Sequence, residues 1–172
     1  MLRIRRHPEL NDSLADTFLG QIEAIFDEGE TLSIGAKQVV KHCQVQDSSF
    51  IIKRYDSTGP FAALRLLLSG SRVDNSCRFA SFLEKFEVPC PKHLLAIKQI
   101  GFAKSTTYLV MEKAPGIPLF EFIQAESTLT LSEAAIENIA KLITQMQWLG
   151  IAHGDLHTRN FIIANDGKRE AI

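Results

Sequence analysis

The stretch Ala114-Pro115-Gly116-Ile117-Pro118 limits the fold more than any other part of this sequence. Two prolines around a glycine predict a break in regular structure, because proline has no N–H to donate and holds φ fixed. The hydrophobic pattern changes across the break. Before it, runs rich in β-branched and aromatic residues at 31–34, 38–44, 49–55, 94–102 and 106–111 read as strands. After it, apolar residues recur at three- and four-residue steps, the period of helices. The 172 residues therefore divide into a strand-rich half and a helical half, in a chain long enough to bury a core.

Helices are legible on both sides. Leu14, Phe18, Ile22, Ile25 and Phe26 form one face, with Asn11, Asp12 or Ser13 as N-cap and Gly29 as stop. A short helix is expected over 61–68. Over 72–86, Val73, Cys77, Ala80 and Leu83 form a stripe widened by Phe79, Phe82 and Phe86, and Val88-Pro89-Cys90-Pro91 ends it. Beyond the break a short helix spans 119–125. The capping box Thr130-x-x-Glu133 opens a longer one, with Ile136, Ile139, Ala140, Ile143 and Met146 inward and Gly150 as its stop. Residues 161–164 read as a strand, Asn165-Asp166-Gly167 as a tight turn and 169–172 as a returning strand. Residues 1–10 show no clear period, so Arg3, Arg5 and Arg6 read as a solvated tail.

Composition narrows the function. A net charge of −1 with 23% charged residues excludes a broad basic field, so no nucleic-acid partner is expected. No apolar run approaches the ~18 residues of a membrane span, and the N-terminus lacks a signal-peptide core. Three widely spaced cysteines, Cys43, Cys77 and Cys90, read as free thiols in a reducing cytosol. The five histidines show no metal-ligand spacing. The expected location is cytoplasmic.

The chemistry concentrates at 153–160, H-G-D-L-H-T-R-N, placed between a helix and a short strand. Phosphoryl transfer needs a carboxylate to orient the attacking hydroxyl, hard oxygen ligands for magnesium and a cation for the phosphates. Asp155 and Asn160 supply the first two at the H-x-D-x-x-x-x-N spacing of a kinase catalytic loop. Lys53 lies late in the third strand, on the same face as Ile51 and Tyr55, and offers the cation.

The form H-G-D-L-H-x-x-N followed by F-I-I, with F-I-I-K-R-Y at 50–55, R-F-A at 78–80, V-P-C-P at 88–91 and Y-L-V-M before Pro115-Gly116, resembles the lipopolysaccharide kinase family and its toluene-tolerance and ice-nucleation relatives. The resemblance runs from about Thr31 onward. It implies an α+β, protein-kinase-like fold: a mostly antiparallel N-lobe sheet with one main helix, a hinge, and a truncated helical C-lobe ending in a β-hairpin. On that basis residues 1–30 are an N-terminal segment, 31–111 the N-lobe, 112–118 the hinge and 119–172 a partial C-lobe.

The resemblance also assigns roles. Lys53 would bind the ATP phosphates, Asp155 would be the base and Asn160 would hold Mg²⁺. The backbone at Glu112 and Ala114 would meet the adenine, and Gly35 is the one glycine kept in the phosphate-covering loop. Glu84 is the first candidate for the acid beside Lys53, with Asp74 behind it. His153 would anchor the loop. The acceptor would be a sugar or lipid-linked sugar hydroxyl, with peripheral contact at the inner membrane. Family members continue the returning strand into a second, magnesium-binding aspartate, and this chain is expected to stop before it. Two other readings stay open: a kinase-like module that binds without transferring phosphate, and a kinase for another acceptor, of the aminoglycoside, choline or protein type.

Overall fold

A computed structural model describes residues 1–59, 72–125, 131–151 and 158–163. The helix expected over 61–68, the cap at Thr130 and the hairpin after 163 lie outside them. The chain divides into two units, Met1–Ser81 with Pro91–Lys113, and Phe82–Cys90 with Ala114–Ile172.

The first unit is built on six antiparallel strands: β1 (Leu2–Arg6), β2 (Glu30–Ile34), β3 (Gln38–Val45), β4 (Ser48–Thr58), β5 (His93–Ile100) and β6 (Lys104–Glu112). Their order across the sheet is β1-β5-β6-β4-β3-β2. β1 corrects the sequence expectation of a tail. It pairs along its length with β5, from Leu2 opposite Gln99 to Arg6 opposite Leu95. Two of its three arginines are engaged: Arg6 donates to the Leu10 carbonyl and pairs with Asp12 at 2.6 Å, and Arg5 reaches Ser81 Oγ at 3.5 Å. All five residues of β1 stay exposed, so hydrogen bonding rather than burial holds the strand, and hydrophobic periodicity could not reveal it.

Helix α1 (Asp12–Glu28) starts where a side chain can cap it, with Asn11 Oδ1 accepting from the Leu14 N–H at 2.7 Å. Its buried face is Ala15, Phe18, Ile22 and Phe26. That face packs on one side of the sheet against Cys43, Phe50, Ile52, Leu95 and Val110. The Phe18 ring meets Phe50 edge-on, with centroids 5.1 Å apart. Residues 12–28 are thus part of the first unit's main core.

Helix α2 (Arg72–Lys85) covers the opposite side of the sheet. Val73 and Cys77 pack with Ala96, Leu109 and Met111, and Ile51 and Tyr55 border the cluster. Phe79, Phe82 and Phe86 do not widen this buried stripe as expected; they are 44%, 37% and 40% exposed. The side with the small residues Val73, Cys77 and Ala80 is the buried one. Close approach of a helix to a sheet favours that choice over bulky rings. The helix ends before the prolines, in a turn with Glu87 in the left-handed region (φ 54°) and the Val88 N–H donating to the Leu83 carbonyl at 2.9 Å.

The second unit holds α3 (Leu119–Ala125), α4 (Glu133–Trp148) and a two-stranded pairing of β7 (Ile117–Pro118) with β8 (Ile162–Ile163). The N-cap of α4 is Ser132, whose Oγ accepts from the Ala135 N–H at 3.1 Å, so the helix begins later than Thr130-x-x-Glu133 predicts. Its inward face is correspondingly rotated: Ala135 and Met146 are buried, whereas Ile136 is 55% exposed. β7 overturns the exclusion of regular structure from the Pro-Gly-Pro stretch. Ile117 pairs with Ile163 and Pro118 with Ile162. A strand this short tolerates proline because its neighbour supplies the donor, and the Leu119 N–H reaches the Phe161 carbonyl at 2.8 Å.

Candidate functional site

Lys53 stands in the middle of β4, opposite Val40 of β3 and Leu109 of β6. Its alternation partners Ile51 and Tyr55 border the cluster under α2, which puts Lys53 on the α2 face, as the sequence implies. The side chain is half-buried, and burial lowers its pKa. Among the described residues no carboxylate forms an ion pair with it. Asp74, the second acid considered from the sequence, is bonded instead to Lys98 of β5.

Two further candidates flank Lys53 along the sheet. Gly35 lies in the turn between β2 and β3, its N–H donating to the Gln38 carbonyl at 2.8 Å, and Gln38 pairs with Tyr55 two residues past Lys53. A Cβ on Gly35 would meet the Gln38 carbonyl at 3.6 Å, an ordinary contact, so the turn itself accommodates alanine. At the other end, Glu112 closes β6 opposite Phe50, three residues before Lys53, and its N–H donates to the Lys92 carbonyl at 2.9 Å.

The remaining candidates belong to the second unit. Ala114 is its first residue after β6 and is partly buried. Glu84 lies near the end of α2, where its charge adds to burial in raising the Cys90 thiol. Asn160 closes the turn Thr158–Asn160 with its side chain exposed, and the next residue, Phe161, is buried with Leu119 and Ile163. That anchored Phe161 fixes where the turn ends. Asp155, His153 and His157 lie outside the described residues. Among the described residues no group of three or more His, Cys, Asp or Glu is placed to hold a metal. Cys43 and Cys77 are buried free thiols, as expected, and burial pushes Cys43 up to about 11.

Two residues near Lys53 were not singled out from the sequence. One is Lys98. The other is His93, at the start of β5 opposite Met111, whose Nδ1 is buried without a hydrogen bond. Burial first, and then the positive charges of Lys53 and Arg5, lower His93 from 6.5 to about 4. The folded state thus holds the ring neutral while the unfolded chain protonates it. Stability from this group is full above pH 6.5 and declines as the pH falls toward 4. Because the ring is partly solvated, the expected loss is about 1–2 kcal/mol. Urea titrations at pH 7 and pH 4.5 check it: His93→Gln should lose less stability than the wild type by about that amount.

The first unit is a six-stranded antiparallel sheet with a half-buried lysine in mid-strand, and comparison with known proteins decides what kind of fold this is. The family model described as Lipopolysaccharide kinase (Kdo/WaaP) matches residues 16–172. The chain belongs to this family. The matched region begins within α1, so β1 precedes it. A solved structure of WaaP in complex with acyl carrier protein superposes with a TM-score of 0.63 at 19% identity, over 95% of this chain and 64% of that one. Rad53 1-466 in complex with AMP-PNP gives a TM-score of 0.55 at 21% identity, over 94% of this chain and 42% of that one. Both show the protein-kinase-like fold. Maternal embryonic leucine zipper kinase of Xenopus tropicalis is 25% identical over 118 residues, and that of Danio rerio 23% over 144. The chain spans 18% and 21% of the length of these two relatives, so their activities are not carried over whole.

Proposed function

We propose that this protein is an ATP-dependent phosphotransferase that moves the γ-phosphate to a sugar hydroxyl of the lipopolysaccharide core. The observation that carries the proposal is Lys53: a half-buried lysine in mid-strand, with no acid partner among the described residues, in a chain of the Kdo/WaaP family. A desolvated cation of this kind costs stability unless an anion arrives, and nucleotide phosphates are that anion. Asp155 would take the proton of the acceptor hydroxyl as its oxygen attacks the γ-phosphorus, and ADP would leave. Asn160 offers a hard amide oxygen, suited to Mg²⁺, at an exposed position. Bound magnesium would neutralise charge on the phosphates. Glu112 and Ala114 would present backbone groups to the adenine, and Gly35 would let the turn approach the phosphates.

ATP and a lipid-linked acceptor meet at the cytoplasmic face of the inner membrane, and the proposal places the protein there. Among the described residues no helix is long and apolar enough to cross the membrane. Titration calorimetry with Mg·ATP tests the nucleotide site. Micromolar to submillimolar binding is expected for the wild type, with a loss of at least about tenfold for Lys53→Met, as for removal of one buried charge-assisted contact. Equal affinity in both proteins would refute the assignment of Lys53. A second reading, a kinase-like module that binds without transferring phosphate, gains from the lack of an acid partner for Lys53 among the described residues. It predicts nucleotide binding without turnover.

A further inference from the structure

A kinase-like sheet is ordinarily expected to dock its helix through the same lysine that holds the nucleotide phosphates. Here the two jobs fall on different residues. Lys98 sits on β5, opposite Thr107 of β6, which in turn lies opposite Tyr55 of β4, so Lys98 is two residues along and two strands across from Lys53. It is 7% exposed, and it is the one charged member of the buried polar set, Lys98, Ser105 and Thr107, among the described residues. Its ammonium is bonded to the carboxylate of Asp74 in the first turn of α2. Two arginines of β1 lie beside it. Arg3 is the cross-strand neighbour of Lys98, and Arg5, whose guanidinium reaches Ser81 on α2, is the neighbour of Ala96. A buried ammonium among arginines is costly without a carboxylate beside it, and Asp74 is where the helix supplies one.

We infer that Lys98 and Asp74, and not Lys53, tie the first turn of α2 to the sheet, making Lys98 a positioning residue and leaving Lys53, which pairs with no carboxylate among the described residues, for phosphate. The docking half of this inference is independent of the proposed activity; the phosphate half rests on it. The helix contributes its small residues Val73 and Cys77 to the sheet at this point, and they give little area to hold it by themselves. The ion pair is the specific contact that sets which face turns inward. Removing Asp74 leaves the buried Lys98 ammonium without its carboxylate, and removing Lys98 takes away the sheet's hold on Asp74, so in either case the first turn should lift.

Cys77, one turn after Asp74 and 5% exposed, reports such lifting through its reaction with a thiol reagent. Labelling of the native protein, read site by site by mass spectrometry, provides the test, with Cys43 under α1 as the internal control. Lys98→Met and Asp74→Asn are each expected to speed Cys77 labelling at least tenfold with Cys43 unchanged. The double variant should be no faster than the faster single one, because both remove the same interaction. Lys53→Met should label Cys77 at the wild-type rate. The thiol's own chemistry cannot mimic this pattern. Lys98 lowers and Asp74 raises the Cys77 pKa, so the two variants shift intrinsic reactivity in opposite directions. Faster labelling in both therefore means opening. If Lys98→Met left Cys77 protected, or Lys53→Met exposed it equally, the inference would be overturned. Nucleotide titration of the same proteins keeps the two claims apart. Failure of the wild type to bind Mg·ATP would end the phosphate role of Lys53, whereas the labelling result would still decide the role of Lys98.

Discussion

Changing Asp155 to Asn should lower phosphoryl transfer about 10²–10⁴-fold, the usual worth of a positioned general base. The two side chains are nearly the same size, so the loop keeps its shape, but an amide cannot accept the acceptor's proton. Nucleotide affinity should therefore stay within about threefold, because a contact needed only in the transition state changes turnover and not ground-state binding. Steady-state assays of turnover beside calorimetry of Mg·ATP separate the two. Equal loss of both would make Asp155 a binding residue. No loss of turnover would remove it from the chemistry.

The second large effect is on stability. Phe18→Ala should destabilise the protein by about 3–5 kcal/mol, the range for emptying a large aromatic site in a packed core. Phe18 is wholly buried, and its ring meets Phe50 of β4 edge-on. Against a total stability of about 5–15 kcal/mol for a typical domain, such a loss leaves a much larger unfolded fraction at working temperature. Urea unfolding measures it. A loss below about 1 kcal/mol, the size of a surface substitution, would mean that α1 is an accessory and not part of the first unit's core.

Long periodic elements were legible in the sequence because burial wrote them there. The apolar face of α1, the strand of Lys53 and the Val73–Cys77 stripe of α2 all follow from spacing. The misses share a cause: their stability comes from hydrogen bonds and charge, to which hydrophobic pattern is blind. β1 is held by its ladder with β5 while all its side chains stay exposed. β7 is held by two pairings with β8 across the Pro-Gly-Pro stretch. The start of α4 is set by Ser132 Oγ, two residues beyond Thr130. For the site, the sequence located Lys53 on its correct face but not the acid pairing around it. Lys98 had a usable signal: it shares the parity of Ala96 in the run L-L-A-I-K-Q-I, so it points to the buried α2 face, where a lysine must have a partner. His93 had no such signal, since its burial depends on the register shift between His93 and Leu95.

The most direct test follows the phosphate itself. The protein is incubated with Mg·ATP labelled at the γ-phosphate and with dephosphorylated lipopolysaccharide core oligosaccharide, and the products are separated. Label covalently attached to a core sugar is expected, strongly reduced with Asp155→Asn. Nucleotide binding with no label on the sugar, or label only on protein or in free phosphate, would contradict the proposed transfer.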